Sequence, residues 1–262
     1  VPHLTDATLI RAILETDRNW AAYALGDLAP GFVEHAEWYR GGDTTHPALL
    51  LLYRLFTEPV LFSLGEAADV AQLLTEIKTE PALYLSIRPE ILPLIKARYT
   101  VQHEAAMWRM ILNPARFQVP PNTECTRLDL SHLPALRALY TDGQATGEVP
   151  DFFDELMLEN GVFYGAYDEH GILLASAGTH LVAPHESVAA VGNVYTRRDQ
   201  RGRGLARRVT GAVVADLLRG TPTLRTVALN VNQQNLAALT VYEHLGFERY
   251  CQFYEGLATS PS

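Results

Sequence analysis

"TRRDQRGRGLARRV", Thr196 to Val209, decides how this chain is read. It places six arginines and two closely spaced glycines in fourteen residues, within a chain of formal net charge -9. A Gly-x-Gly between a strand and a helix can aim backbone N–H groups at an anion, helped by the positive end of the helix dipole. Gly202 and Gly204 would let the backbone approach that anion without a Cβ in the way. Upstream, "SVAAVGNVYT" reads as a strand. Downstream, Leu205, Val209, Val213 and Leu217 recur every four residues, the period of a buried helix face, and Gly220 stops the helix. The stretch is a strand–loop–helix junction suited to phosphate.

Three phosphate loops can be compared with it. A Walker loop needs GxxxxGK[ST], and the only lysines, Lys78 and Lys96, lie in no such setting. A dinucleotide fingerprint needs GxGxxG in a first βα turn. Here "GRGLAR" puts Arg207 at the third glycine's position, far down the chain. The third loop fits. "RGRGLA", Arg201 to Ala206, resembles the R/Q-x-x-G-x-G/A loop of the GNAT superfamily of acyl-CoA-dependent N-acetyltransferases. "GNVYT" is similar to that family's fourth strand. "NQQNLAALTVYEHLGF" resembles its N-x-x-A-x-x-x-Y-x-x-x-GF element through Asn235, Ala238, Tyr242, Gly246 and Phe247. The resemblance covers about Glu124 to Tyr254.

The resemblance implies an α/β (α+β) fold, with a mixed, mostly antiparallel sheet flanked by helices. It also implies acetyl-CoA as cosubstrate, and transfer of the acetyl group to an amine by direct attack on the thioester. Arg201, Gly202, Arg203, Gly204, Leu205 and Ala206 would then surround the pyrophosphate, with arginines adding charge-assisted contacts. A solvated helix-face charge remains the other account of any one arginine. Val194, Tyr195 and Thr196 would line the cofactor strand, with a backbone N–H near Val194 meeting the thioester carbonyl. Gly192 would permit an irregularity in that strand. Tyr242 takes the position of the family's general acid; a phenol of pKa about 10 stays protonated at neutral pH and can donate to a leaving thiolate. It also suits an apolar helix face with Leu239 and Leu245. Asn230 would line the cleft and Asn235 would cap its helix and contact the cofactor arm, whereas Asn232 reads as a turn residue. For a general base, Glu186, His180, His185, Asp154 and Glu155 are candidates that no spacing separates. Asn193 is polar but cannot be a base. A catalytically silent acyl-CoA sensor would keep the same loop without turnover.

The linker "NPARFQVPPNTE", Asn113 to Glu124, carries three prolines and divides the chain into domains expected at 1–115 and 116–262. The second half reads β-α-α-β-β-β-α-β-α-β, including a short helix at "VPDFFDELM". The first half gives a blurred version of that rhythm, compatible with a degenerate GNAT-like repeat or with a generic α+β domain. At the position corresponding to the phosphate loop it reads "LGEAADVA", where Glu66 and Asp69 would repel a pyrophosphate.

Composition narrows the rest. The acidic balance opposes nucleic-acid binding, which needs a broad basic face. Cys125 and Cys251 form no disulfide framework, and no CxxC or HExxH spacing suggests a metal. The most apolar run, "PALLLLYRLF", is broken by Arg54 and falls short of the ~20 residues of a membrane span. No signal peptide is visible at "VPHLTDATLI". A cytoplasmic enzyme with a small-molecule or peptide amine substrate, and neither nucleic acid nor membrane as partner, is the expectation.

Overall fold

The computed structural model describes residues 3–120, 125–144, 147–148 and 153–261. The end of the linker, 121–124, and the start of "VPDFFDELM", 149–152, lie outside the described residues. Two compact units are present. The first comprises Val1–Arg109, Val231–Gln234 and Tyr250–Ser262; the second comprises Met110–Asn230 and Asn235–Arg249.

In the first unit, helix α1 (Ala7–Leu14) starts on Asp6, whose carboxylate accepts from the Thr8 and Leu9 amides at 2.9 and 3.1 Å. This is an N-cap that satisfies two otherwise orphaned donors. After the short α2 (Ala22–Gly26) come β1 (Ala36–Gly42), β2 (Pro47–Tyr53), β3 (Val60–Leu64), α3 (Ala67–Glu76), β4 (Ala82–Ile87), α4 (Leu92–Lys96) and β5 (Thr100–Leu112). The apolar run "PALLLLY" is β2. Six of its seven residues are buried because α1 and α3 both pack on it, as an unbroken hydrophobic strand requires. Strands β1, β2 and β3 pair antiparallel, and β4 returns parallel to β3 after α3. Leu50, Leu52, Leu61, Val70, Leu73, Leu85 and Ala258 belong to its core.

The second unit carries β6 (Thr126–Leu128), α5 (Leu133–Gln144), α6 (Glu155–Asn160), β7 (Phe163–Tyr167), β8 (Leu173–Ala183), β9 (Val188–Thr196), α7 (Leu205–Gly220), β10 (Thr226–Asn232), α8 (Leu236–His244) and β11 (Phe247–Thr259). Its β7, β8 and β9 again pair antiparallel, and β10 runs parallel to β9 after α7. The two units thus repeat one succession: three antiparallel strands, a helix, and a parallel fourth strand. The last strand departs from that symmetry. Tyr254–Thr259 of β11 belong to the first unit and pair antiparallel with Ala82–Ile87 of β4.

Cys125 is half-buried and Cys251 buried, both as free thiols. Among the described residues, no helix is long and apolar enough to cross a membrane.

Candidate functional site

The expected site residues all lie in the second unit. Strand β9 leads into the loop. It pairs with β10 from Val188↔Thr226 to Val191↔Leu229 and then continues to Thr196. On its other edge the register with β8 shifts between Ser176↔Tyr195 and Gly178↔Gly192, so Asn193 and Val194 together oppose Ala177. Two residues facing one make a β-bulge. The residue that makes it possible is Asn193, with φ +52°, one of the few side chains that tolerate the left-handed region.

Gly192 has a different role from the one expected. The irregularity sits one residue later, and a Cβ on Gly192 would come within 2.2 Å of the His180 ring nitrogen Nε2. The glycine makes room for that imidazole.

Three side chains of α5 and the strand behind it hold the bulge. The Tyr140 hydroxyl donates to the Asn193 carbonyl at 3.1 Å, and Ser176 Oγ donates to Tyr140 at 3.4 Å. Asp142 accepts from the Tyr195 hydroxyl at 2.9 Å and from the Arg198 amide at 3.0 Å. Those bonds, the Arg198 amide first, keep the Asp142 carboxyl below its ordinary range. Sequence spacing gives no sign of these contacts, since Tyr195 and Asp142 are separated by 53 positions.

The loop itself turns on Gly202 and Gly204, both at φ +76°. A Cβ at either would meet nothing within 4 Å, so open space lies over the backbone. Gly204 is also the N-cap of α7 and offers no side chain to the helix's first amides. The opening turn of a sixteen-residue helix, beginning Leu205–Ala206, is therefore left for an external acceptor.

The arginines are more occupied than their clustering suggests. Arg197 pairs with Asp199 at 3.0 Å, and Arg198 Nε lies 3.6 Å from Asp142. Arg201 grips Glu148 with both terminal nitrogens at 3.1 and 3.2 Å, lies over the Tyr195 ring and reaches the Thr196 carbonyl at 3.4 Å. Arg203 donates to Gln200. Exposed pairs of this kind are screened by solvent, so they shape the loop more than they stabilise it.

Farther along, the Asn235 side chain accepts from the Ala238 amide at 3.0 Å, and Asn232 accepts from Gln234 in a turn. Asn230 lies half-buried on β10. Tyr242 is buried on α8 with its ring 6.2 Å from that of Phe247; burial pushes its hydroxyl up to about 12. Of the base candidates, Asp154 caps α6, Glu155 pairs with Arg137, and His185 and Glu186 lie in the turn before β9. The His180 ring lies against Gly192, next to the bulge.

Burial pulls the His180 imidazole down to about 4. Its folded value lies below its unfolded value, so the unfolded chain binds the extra proton. Stability should therefore fall as pH drops from about 6.5 toward about 4, by about 2 kcal/mol between pH 7 and 4.5. Urea unfolding of the parent and of His180→Gln at both pH values checks this. An identical acid loss in the variant would show that other groups carry it.

Residues 131–247 match the acetyltransferase (GNAT) family. This segment is a GNAT domain. A mycothiol acetyltransferase of Geodermatophilus obscurus is 38% identical over 96 residues, 32% of this chain and 30% of that protein. The match thus spans under a third of that relative's length. An acetyltransferase of the GNAT family from Novosphingobium aromaticivorans, named as putative in its structure, shares 21% identity at a TM-score of 0.62, covering 92% of this chain and 97% of its own. A GCN5-related N-acetyltransferase from Kribbella flavida shares 15% at a TM-score of 0.64, covering 94% and 95%. At these identities the likeness is one of fold, and its coverage carries the GNAT fold through the first half as well. The fold is a mixed sheet, mostly antiparallel and flanked by helices, as the sequence led us to expect.

Proposed function

We propose that the chain transfers an acetyl group from acetyl-CoA to a small-molecule or peptide amine, with the chemistry in the half spanning residues 116–262. The observation that carries this reading is the uncapped start of α7 behind two left-handed glycines. Coenzyme A presents a pyrophosphate, and a loop with open space over its glycines, leading into a helix start without a side-chain cap, suits that anion. Gly202–Ala206 hold the pyrophosphate by backbone, with Arg201 and Arg203 flanking it. The bulged strand Val194–Thr196 takes the pantetheine arm, while Asn230 and Asn235 border it. The Val194 amide polarises the thioester carbonyl, and Tyr242 donates to the departing sulfur.

Residues 1–115 keep the fold without the loop. Along α3, Glu66, Asp69 and Glu76 line a cleft of about 750 Å³ with Arg40, Asp43 and His46 from the β1–β2 hairpin. Carboxylates outnumber the basic groups there, which disfavours a polyphosphate.

Calorimetric titration with acetyl-CoA should saturate at one equivalent per chain. Gly204→Val should weaken binding at least tenfold, about 1.4 kcal/mol. Because valine is strained at φ +76°, Gly204→Asn serves as the partner variant: asparagine accepts that backbone but fills the space above it. Unchanged affinity in both folded variants would remove the loop from the site. Two equivalents would return a cofactor site to the first half. Acetyl-CoA binding without thiol release across a broad amine panel would make the protein a sensor.

A further inference from the structure

Tyr140 is buried in the second unit, its ring edge-on to Phe153 at 5.3 Å and to Tyr195 at 6.2 Å. Those neighbours fix the ring, so the hydroxyl has one direction to serve. It donates to the carbonyl of Asn193, the residue whose left-handed backbone makes the bulge. Ser176, fully buried, donates to the same hydroxyl and keeps its proton directed at that carbonyl. The Asn193 carbonyl and the Val194 N–H belong to one peptide unit. In a planar trans peptide they point in opposite directions, so fixing the carbonyl fixes the amide. The side chain of Asn193 is packed as well, its Nδ2 lying 3.6 Å from Met157 Sδ.

We propose that Tyr140 is a positioning residue for acetyl transfer: by holding the Asn193 carbonyl it aims the Val194 N–H at the thioester oxygen. This rests on the acetyl-transfer reading above. An oxyanion donor works only when fixed in advance where charge will develop, and its loss typically costs ~10²–10³-fold in turnover. Loosening it by one hydrogen bond should cost less, about 10- to 100-fold. Tyr140 is buried with its hydroxyl committed to the Asn193 carbonyl, so cofactor affinity should stay within about twofold.

The test is infrared difference spectroscopy of acetyl-CoA labelled with ¹³C at the thioester carbonyl, bound to the parent and to Tyr140→Phe, with turnover measured on the same preparations. The parent should lower the carbonyl frequency relative to free acetyl-CoA. Tyr140→Phe should restore most of the free value and lower kcat, with KM for acetyl-CoA nearly unchanged. A core tyrosine with only a packing role would lower thermal stability without moving the carbonyl band. Ser176→Ala keeps the phenol but removes the bond that orients it, and should produce a smaller shift in the same direction; it serves if the phenylalanine variant does not fold. A down-shifted band in the parent that persists in both variants, with unchanged kcat, overturns the role of Tyr140. An unshifted band in the parent itself overturns the acetyl-transfer geometry, and this inference with it.

Discussion

Replacing Tyr242 by phenylalanine should lower acetyl transfer by ~10²–10⁴-fold while acetyl-CoA binding stays nearly intact. The ring is buried on α8 against Phe247, and phenylalanine fills the same space, so the change removes one hydroxyl and little packing. Burial lifts that hydroxyl to about 12, which keeps it protonated throughout the physiological range. The same shift makes it a weak acid. Full proton release to a thiolate of ordinary pKa, about 8.5, would be uphill. Its contribution is therefore a hydrogen bond that strengthens as charge gathers on sulfur, and the released thiolate takes its proton from water. No alkaline loss of rate from this group should appear below about pH 11. Thiol release by the parent and variant, under conditions where chemistry limits the rate, decides the matter. A variant within about twofold of the parent would take Tyr242 out of the mechanism.

Ending the chain at Arg249 should leave the first unit unable to fold cooperatively. The cut removes Tyr254–Thr259, which pair with β4 from Ala82 to Ile87, along with the fully buried Phe253 and Ala258. Phe253 lies 5.5 Å from the Trp20 ring and 5.4 Å from the guanidinium of Arg109. Arg109 is itself buried, with Nε and Nη1 unbonded among the described residues, and it sits over Trp20 at 5.0 Å and Tyr23 at 4.5 Å. Aromatic faces stand in for its counter-ion, and the truncation removes one of them. Emptying a buried phenylalanine site alone costs about 3–5 kcal/mol. A lost strand added to that exceeds much of the ~5–15 kcal/mol that holds a domain folded. Circular dichroism and urea titration of the truncated chain should show a missing or non-cooperative transition. A single sharp transition with the parent's denaturant slope would contradict the prediction. Phe253→Ala is the milder companion, expected to lose about 3–5 kcal/mol while still folding. A fragment beginning at Glu124 has the reverse defect, since it keeps Tyr254–Thr259 and leaves β4 behind.

Local signals in the sequence carried the loop and its helix well. Gly202 and Gly204 are the left-handed residues, and the four-residue spacing from Leu205 to Leu217 is the buried face of α7. The cap at Asn235 was equally legible, because a cap is a contact between near neighbours. The site's support was not. Tyr140 and Asn193 are separated by 53 positions, and only folding brings them together. Gly192 drew attention as the flexible residue of its strand, yet the bulge falls on Asn193 and the glycine accommodates His180. The partners of the arginines were equally hidden: Asp199, Asp142 and Glu148 pair with Arg197, Arg198 and Arg201. Charge counts along a chain do not record which acids the fold returns to the same place.

The placement of Tyr254–Thr259 beside β4 also sets an order on synthesis. A ribosome emits the first unit's helices and inner strands early, but the strand that completes that unit comes after the whole segment that matches the GNAT family. Until then β4 has an open edge, and open edges invite pairing with other chains. The nascent protein must either delay closing its first half or shelter that edge with a chaperone. For the same reason a recombination event at the linker could not pass either half to a new host intact.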